Sequence, residues 1–264
     1  MQRTRRDATD GLLPDERAKL ILDRLRSRGR VLAAELALEF NTSEHTVRRH
    51  LRDLADAGHC KRVYGGALLI SPAGQTGSTR MREAGDRKAR LAVAAAAIVR
   101  PGQIILLDAG STNVAIAAAL PGNAGLTVVT NSPDACSRLM ARPGFEVILI
   151  GGRMSPRGVG SLGSTALLQV QQITADLCFL GACAIDTAEG VAAFDSEEAE
   201  LKRAMVKSSG QIAIAMTSEK LMTAAPFLVV PASGIEHLIV EPDIPAERLS
   251  EFEKICGNVI VAQS

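Results

Sequence analysis

Two short stretches of this chain carry side chains whose types and spacing can do chemistry. The first begins Thr42-Ser43-Glu44-His45-Thr46-Val47-Arg48-Arg49, continues through Arg52, and ends with Lys61, Arg62 and Tyr64. Small hydroxyls followed by long guanidinium donors suit a polyanion. Hydroxyls and N–H groups donate to phosphate oxygens, and Arg is the commonest bidentate reader of guanine O6 and N7. The second stretch, Asp108-Ala109-Gly110-Ser111-Thr112-Asn113, follows the apolar run Ile104–Leu107 and precedes a helical pattern over Val114–Leu120. A Gly-Ser-Thr turn at that place gathers backbone N–H groups and two hydroxyls around an anion, and phosphate is its natural guest.

The elements that position the first stretch can be read from apolar spacing. Pro14 suits a first helical position, and Ala18, Ile21, Leu22 and Leu25 follow at i, i+3, i+4 and i+7, with Gly29 as the stop. Ala33, Leu36, Ala37 and Phe40 repeat the pattern in a second, shorter helix. Asn41-Thr42 makes a turn, Ser43 is a good N-cap, and Val47, Leu51, Leu54 and Ala55 form the inward stripe of a third helix that ends at Gly58. Its other face presents His45, Arg48, Arg49 and Arg52, with Ser43 and Thr46 near its start. The runs Lys61–Tyr64 and Ala67–Ile70 around Gly65-Gly66 form a hairpin, a wing that carries Lys61, Arg62 and Tyr64 to backbone phosphates. Residues 14–70 are thus expected to be a winged helix-turn-helix, with duplex DNA as partner. Charge agrees with this: residues 1–64 hold 14 Lys and Arg against 10 Asp and Glu, while residues 65–264 hold 16 against 19. Charge alone would fit a solvated basic helix equally well; spacing, turn and wing together favour the DNA reader.

The texture changes after Ile70. Ser71–Ser78 (SPAGQTGS) is rich in Gly, Pro and Ser, and residues 71–86 are read as a linker. Over residues 87–264, helical stretches alternate with the apolar runs Ile104–Leu107, Leu126–Val129, Val147–Ile150, Leu177–Leu180, Ile212–Met216 and His237–Val240. That pattern predicts an α/β domain with an open, mainly parallel sheet covered by helices on both faces. Ligands of such sheets bind beyond the strand C-termini. The candidate pocket residues are therefore Asp108, Gly110, Ser111, Thr112 and Asn113, with similar turns at Thr130-Asn131, Gly151-Gly152 and Gly181. Five cysteines with no C-x-x-C, the later four of them with no His nearby, read as reduced thiols, so neither metal nor cofactor is expected. No secretory h-region and no membrane-length apolar run is present, which leads us to expect a cytoplasmic protein.

The run from Thr42 to Ala67 resembles the signature of DeoR-type bacterial transcriptional regulators, S-x-x-T-[IV]-R-R-D-L followed by L-x-x-x-G-x-x-x-R-x-H-G-G-A. Ser43, Thr46, Val47, Arg48, Arg49, Leu51, Leu54, Gly58, Arg62, Gly65, Gly66 and Ala67 match. His50 stands where the family has Asp, and Tyr64 where it has His. The resemblance runs on through the chain and implies an effector domain similar in fold to ribose-5-phosphate isomerase and glucosamine-6-phosphate deaminase. It also implies a phosphorylated sugar or related metabolite as effector and a repressor of carbohydrate genes. Asp108, Gly110, Ser111, Thr112, Thr130, Asn131, Gly151 and Gly152 match. Glu198 and Lys202 carry the family's E-x-x-x-K. Two places depart. The family's L-A-D-S-S-K reads Ala215-Met216-Thr217-Ser218-Glu219-Lys220, without the Asp and with the Lys displaced by one, and its I-T-D reads Ile239-Val240-Glu241. The phosphate cradle is expected to be retained and the part that grips the sugar altered.

An isomerase or deaminase fused to a DNA reader is the alternative. Such chemistry needs a carboxylate base near the substrate carbons. The isomerase-like D-G-A-D-E is reduced here to Gly181-Ala182-Cys183-Ala184-Ile185-Asp186, lacking its first Asp and Gly, so no catalytic residue is assigned. A sensor acts instead through the difference in effector affinity between DNA-binding states, with residues 79–99 as the expected mechanical connection. One helix-turn-helix seldom holds a site alone, so a homodimer or higher homo-oligomer on repeated half-sites is expected.

Overall fold

The computed structural model describes residues 13–74, 85–155 and 160–263. The charged first dozen residues and positions 75–84 of the expected linker lie outside them, including the first part of the expected connection at 79–99. The chain divides into two units, one of residues 1–71 with 222–225, the other of residues 72–221 with 226–264.

In the first unit, α1 (Pro14–Arg28) begins with Pro at its first position, and the Glu16 carboxylate accepts the Leu13 N–H at 2.9 Å. A short strand, β1 (Arg30–Leu32), leads into α2 (Ala33–Glu39). Helix α3 (Glu44–Asp56) is capped by Ser43, whose Oγ accepts the Thr46 N–H at 3.1 Å. Strands β2 (Cys60–Val63) and β3 (Gly66–Ile70) form the hairpin. The expected apolar stripes converge: Ile21 and Leu25 of α1 pack with Leu36, Phe40, Val47, Leu51 and Leu54 in one buried cluster. The sequence pattern did not indicate β1, three residues that pair antiparallel with Gly66–Leu68 of β3.

The second unit starts with α4 (Gly85–Ala96), β4 (Ile104–Leu107), α5 (Ser111–Ala119), β5 (Leu126–Thr130), α6 (Pro133–Met140) and β6 (Phe145–Leu149). It continues with β7 (Arg153–Met154), β8 (Ser161–Leu162), α7 (Ser164–Gln171), β9 (Ala175–Phe179), β10 (Ala184–Asp186) and β11 (Gly190–Ala193). Then come α8 (Ser196–Lys207) and β12 (Ser209–Ala215), and β13 (Thr223–Ala224), which belongs to the first unit. The second unit closes with β14 (Phe227–Val230), β15 (His237–Val240), α9 (Ala246–Glu253) and β16 (Asn258–Val261). Seven strands form one sheet in the order β16-β15-β12-β9-β4-β5-β6, with every neighbouring pair parallel. All six apolar runs contribute strands to it. Ile105, Leu107, Val128, Leu177, Phe179, Ala213 and Ile239 pack against Leu91, Ile116 and Leu139 from the covering helices.

Two features differ from the sequence expectation. The seventh strand, β16, is a four-residue edge strand whose half-exposed Val-Ile-Val is too short to stand out. The expected unbroken effector domain of residues 87–264 is interrupted, because residues 222–225 complete the sheet of the winged unit. Strand β13 pairs in parallel with Leu69–Ile70, beyond the end of β1 on the same edge of β3. A two-residue strand has no periodicity to reveal it.

Strand order also marks a topological switch point. From β4 the chain winds one way through β5 and β6, and the other way through β9, β12, β15 and β16. The winding reverses between β4 and β9, so the turns after these strands open a crevice at the sheet's C-terminal edge.

Candidate functional site

The surface of the winged unit places its charges in solvent. Ser43, His45, Arg48, Arg49 and Arg52 are exposed on α3 and its cap, with Thr46 half-buried. The two hydroxyls serve the helix first: Ser43 Oγ lies 3.0 Å from Thr46 Oγ1 in addition to capping its N–H. Arg48 pairs with Glu44 one turn back, at 2.7 Å. On the hairpin Lys61 is half-buried, Arg62 is exposed, and Tyr64 stands fully exposed at the tip with a relative accessibility of 101%. Arg48, Leu51, Arg62, Val63 and Tyr64 line a groove between helix and hairpin. His50, where the family has Asp, points inward instead. It is buried, its Nε2 has no hydrogen-bond partner, and desolvation, aided by the cations Arg17 and Arg49, holds its pKa below the usual histidine value.

In the second unit the crevice at the switch point is a narrow cleft. Ala109, Gly110, Ser111, Thr112 and Asn113 line it after β4, and Gly181, Ala182 and Cys183 after β9. Glu198 and Lys202 reach it from α8, with Ala215 and Lys220 on the remaining side. The first intrahelical bond of α5 runs from Val114 N–H to Gly110 carbonyl at 2.9 Å, so the N–H groups of Ser111, Thr112 and Asn113 have no acceptor within the helix. They and the helix dipole face the cleft as anion donors.

Beneath this rim lies a buried charge cluster. Lys202 Nζ contacts the Asp108 carboxylate, donates to the Gly181 carbonyl at 2.7 Å, and lies 3.3 Å from Glu198 Oε1. The two oxygens of Asp108 also accept the N–H groups of Ala109 at 2.8 Å and Gly181 at 2.9 Å. Burial opposes the charge on Lys202, but the facing carboxylates of Asp108 and Glu198 outweigh it and keep the ammonium protonated, its pKa raised. Gly181 is required by proximity: a Cβ there would come within 2.7 Å of the Ala109 carbonyl oxygen and 2.9 Å of Asp108 Oδ2. Glu198 is held at the start of α8 by Asp195, whose Oδ1 accepts the N–H groups of Glu197 and Glu198, each at 3.0 Å.

The remaining sequence candidates lie beside the cleft rather than in its lining. Asn131 Oδ1 accepts the Ala109 N–H at 2.8 Å and its Nδ2 donates to the Ser161 carbonyl, while Thr130 Oγ1 donates to the Leu107 carbonyl at 2.6 Å. Both fasten the turn after β5 to the turn after β4. Gly151 donates its N–H to Gln169 Oε1 at 2.9 Å, and a Cβ on Gly152 would meet the Leu162 carbonyl oxygen at 2.6 Å. Asn113 also lines the cleft, and its Nδ2 donates to the Asp108 and Phe179 carbonyls at 2.8 and 2.9 Å. Cys183 and Ala215 were not anticipated. They follow β9 and end β12, and only the assembled sheet edge brings them to the cleft. Among the described residues, no three His, Cys, Asp or Glu side chains gather to hold a metal ion, and no helix is long and apolar enough to cross a membrane.

Comparison with known proteins gives this geometry a context. Residues 17–73 match the family model described as a DeoR-like helix-turn-helix domain, and residues 83–242 match the one described as the DeoR C terminal sensor domain. The chain is 28% identical over 250 residues to a putative aga operon transcriptional repressor of Escherichia coli O157:H7, covering 93% of each chain. It is 31% identical over 201 residues to the glycerol-3-phosphate regulon repressor of Escherichia coli strain K12, covering 76% of this chain and 80% of that one. Among solved structures, ribose 5-phosphate isomerase A of Methanocaldococcus jannaschii aligns with a TM-score of 0.37 and 16% identity, over 52% of this chain and 54% of that one.

Proposed function

This chain belongs to the DeoR family of DNA-binding transcriptional regulators, and from that premise we propose that a phosphorylated sugar in the switch-point cleft controls its hold on an operator. The observation that carries the effector reading is the start of α5. Three N–H groups with no acceptor inside the helix, on residues that include the hydroxyl-bearing Ser111 and Thr112, line the switch-point cleft. A phosphate fits the helix start, Lys220 supplies a cation at the rim, and Glu198 offers acceptors to sugar hydroxyls. On the DNA side, Arg48, Arg49 and Arg52 reach base edges from α3, while Ser43, His45, Thr46, Lys61, Arg62 and Tyr64 engage the phosphate backbone.

The cleft senses and does not catalyse. A general base needs an available lone pair near the substrate carbons. Here the Asp108 carboxylate is occupied by Lys202 and two backbone N–H groups, and Lys202 is held protonated. Two of the relatives are named repressors, one of the aga operon and one of the glycerol-3-phosphate regulon, which favours repression of genes for sugar or polyol use. The protein works in the cytoplasm, where operators and phosphorylated metabolites meet, as a homodimer or higher oligomer on repeated half-sites. Effector binding shifts operator affinity by the roughly 5–150-fold typical of such coupling.

The test is a panel of three- to six-carbon sugar phosphates, read by thermal stability and by operator titration, on the native chain and on Ser111→Asp. One panel member raises the melting temperature and changes operator affinity in the native chain. Ser111→Asp, with a carboxylate in the phosphate cradle, loses that response and keeps its operator affinity. Turnover of ribose 5-phosphate, or a response that survives Ser111→Asp, would overturn the reading.

A further inference from the structure

The segment that ends at the cleft lysine continues directly into the DNA-binding unit. Ala215 and Lys220 both line the cleft, and between them the chain is fastened to the second unit. The Met216 N–H donates to the Ile239 carbonyl at 3.1 Å, and the Ser218 N–H to the Glu241 carboxylate at 2.7 Å. Arg87 of α4 grips the same place, with Nε 2.6 Å from Glu241 Oε1 and a terminal nitrogen 2.8 Å from Glu219 Oε2. Burial alone would raise the Glu219 carboxyl. Hydrogen bonds from Thr217, from its own backbone N–H and from Arg87 outweigh that, and hold it ionised below the usual carboxylate range. Leu221 then makes a single parallel bridge to Ile185.

One residue later the chain is part of the winged unit. Met222 is buried with φ at +56°, a left-handed conformation that a side chain bearing a γ-carbon adopts at a cost. Gly29, which ends α1, also has a positive φ of +73°, and a Cβ there would meet the Met222 carbonyl oxygen at 2.6 Å. Thr223 and Ala224 pair in parallel with Leu69 and Ile70, and the Ala224 carbonyl accepts the Ser71 N–H at 3.0 Å. Strand β1 covers this edge of β3 only as far as Leu68, so β13 completes it. The wing strand is therefore finished by a segment about 150 residues further along the chain, which begins three residues past a lysine of the cleft.

We propose that residues 220–225 are the transmission element of this regulator: a change at Lys220 is carried through the Met222 bend to β13, and so to the wing strand β3. This rests on the effector reading of the cleft, and it moves the mechanical connection away from residues 79–99. Lys220 lines the same cleft as the helix start where the phosphate would sit, so a bound anion reorients it. The Arg87–Glu241 clamp fixes the base of the loop at Ser218, leaving the path beyond Lys220 as the part that responds. A two-residue strand is held by few bonds and can shift without unfolding either core.

The test uses the full chain and reads amide hydrogen exchange at Ser71, whose N–H donates to β13, against Leu69, whose N–H donates to the Gly29 carbonyl. Lys220→Ala is expected to change Ser71 exchange by about fivefold or more and to leave Leu69 unmoved, as local opening of one edge requires. In Met222→Gly, which frees the bend without touching cleft or DNA face, the same Lys220→Ala change no longer reaches Ser71. If Lys220→Ala leaves Ser71 unchanged, or if its effect persists through Met222→Gly, the proposal is overturned. Ribose 5-phosphate, glycerol 3-phosphate and inorganic phosphate then separate this inference from the reading beneath it. A probe that stabilises the chain and shifts Ser71 supports both. One that stabilises the chain without shifting Ser71 overturns the transmission element alone. If no probe binds, the effector reading falls and the Lys220→Ala comparison still decides the route.

Discussion

Arg48 on α3 and Lys202 on α8 each face a carboxylate one turn away on the same helix, yet their surroundings make them opposites. Arg48 and Glu44 are 59% and 46% exposed, so their attraction is screened, and Arg48 can leave its partner for a phosphate or base edge at little cost. Lys202 is 2% exposed and meets Asp108 as well as Glu198, with the Gly181 carbonyl as a further acceptor. Removing one partner there leaves the other buried and uncompensated. The same i, i+4 pattern thus serves as a replaceable contact on the exposed face of α3 and as a fixed wall beneath the switch-point cleft.

The largest effect tests that contrast directly. Lys202→Met keeps the bulk but strands the Asp108 carboxylate, and should cost the second unit about 3–5 kcal/mol of stability in urea unfolding. Arg48→Ala should cost the first unit at most about 0.5 kcal/mol, the worth of an exposed helical pair. Similar losses from the two variants would erase the distinction between them. The double variant Asp108→Asn with Lys202→Met recovers part of the loss if stranded charge, not lost packing, is the cause.

A second comparison concerns what each region loses in function. Arg49→Ala removes a donor from the outer face of α3, where it is exposed. Operator discrimination should fall by about 1–3 kcal/mol, the usual worth of a bidentate base contact, with the unfolding curve unchanged. Equal weakening on operator and random duplex would assign Arg49 to the phosphate backbone instead. Ser43→Ala acts on the same helix through its fold. Loss of the cap to the Thr46 N–H should cost about 1 kcal/mol of stability in the winged unit, and weaken operator and random duplex alike.

How much of this was legible in the sequence follows the same division. The three helices and the hairpin were readable because each buries a stripe whose spacing is local: Val47, Leu51 and Leu54 fall together on any α-helix. The six apolar runs marked parallel strands for the same reason. The cleft was half legible. Gly110, Ser111 and Thr112 form one local turn, but Cys183 and Ala215 meet them only because β4, β9 and β12 are neighbours in the sheet. Thr130 and Asn131 have the residue types of a ligand turn and instead brace the turn after β4, since both their side chains are used on neighbouring backbone. The pairing of β13 with β3 had no signal at all: two residues carry no period, and their partner lies about 150 positions away.

His50 brings a buried titratable group to the winged unit, where the exposed cations otherwise set the pattern, and gives the smallest effect. It lies on the inward side of α3, with Arg17 and Asp15 from α1 and Arg49 and Asp53 from α3 as its charged neighbours. Burial and the two arginines outweigh the two aspartates, so its pKa in the folded chain lies below the ordinary 6.5. Between the folded and unfolded values the unfolded chain binds more protons, and stability therefore rises with pH. The contribution is complete above 6.5 and is lost as pH falls through the window beneath it. Thermal unfolding of the native chain between pH 7.5 and 5 should show this decline in the winged unit, and His50→Gln should flatten it. His50→Asp restores the family's residue and sets a carboxylate beside Arg17 and Arg49, so its loss should move down into the carboxylate range, below pH 5. An unchanged slope in His50→Gln would assign the acid sensitivity to another group. A slope that disappears in His50→Gln and moves lower in His50→Asp would mean that His50 makes the recognition helix acid-labile at a higher pH than a carboxylate there would.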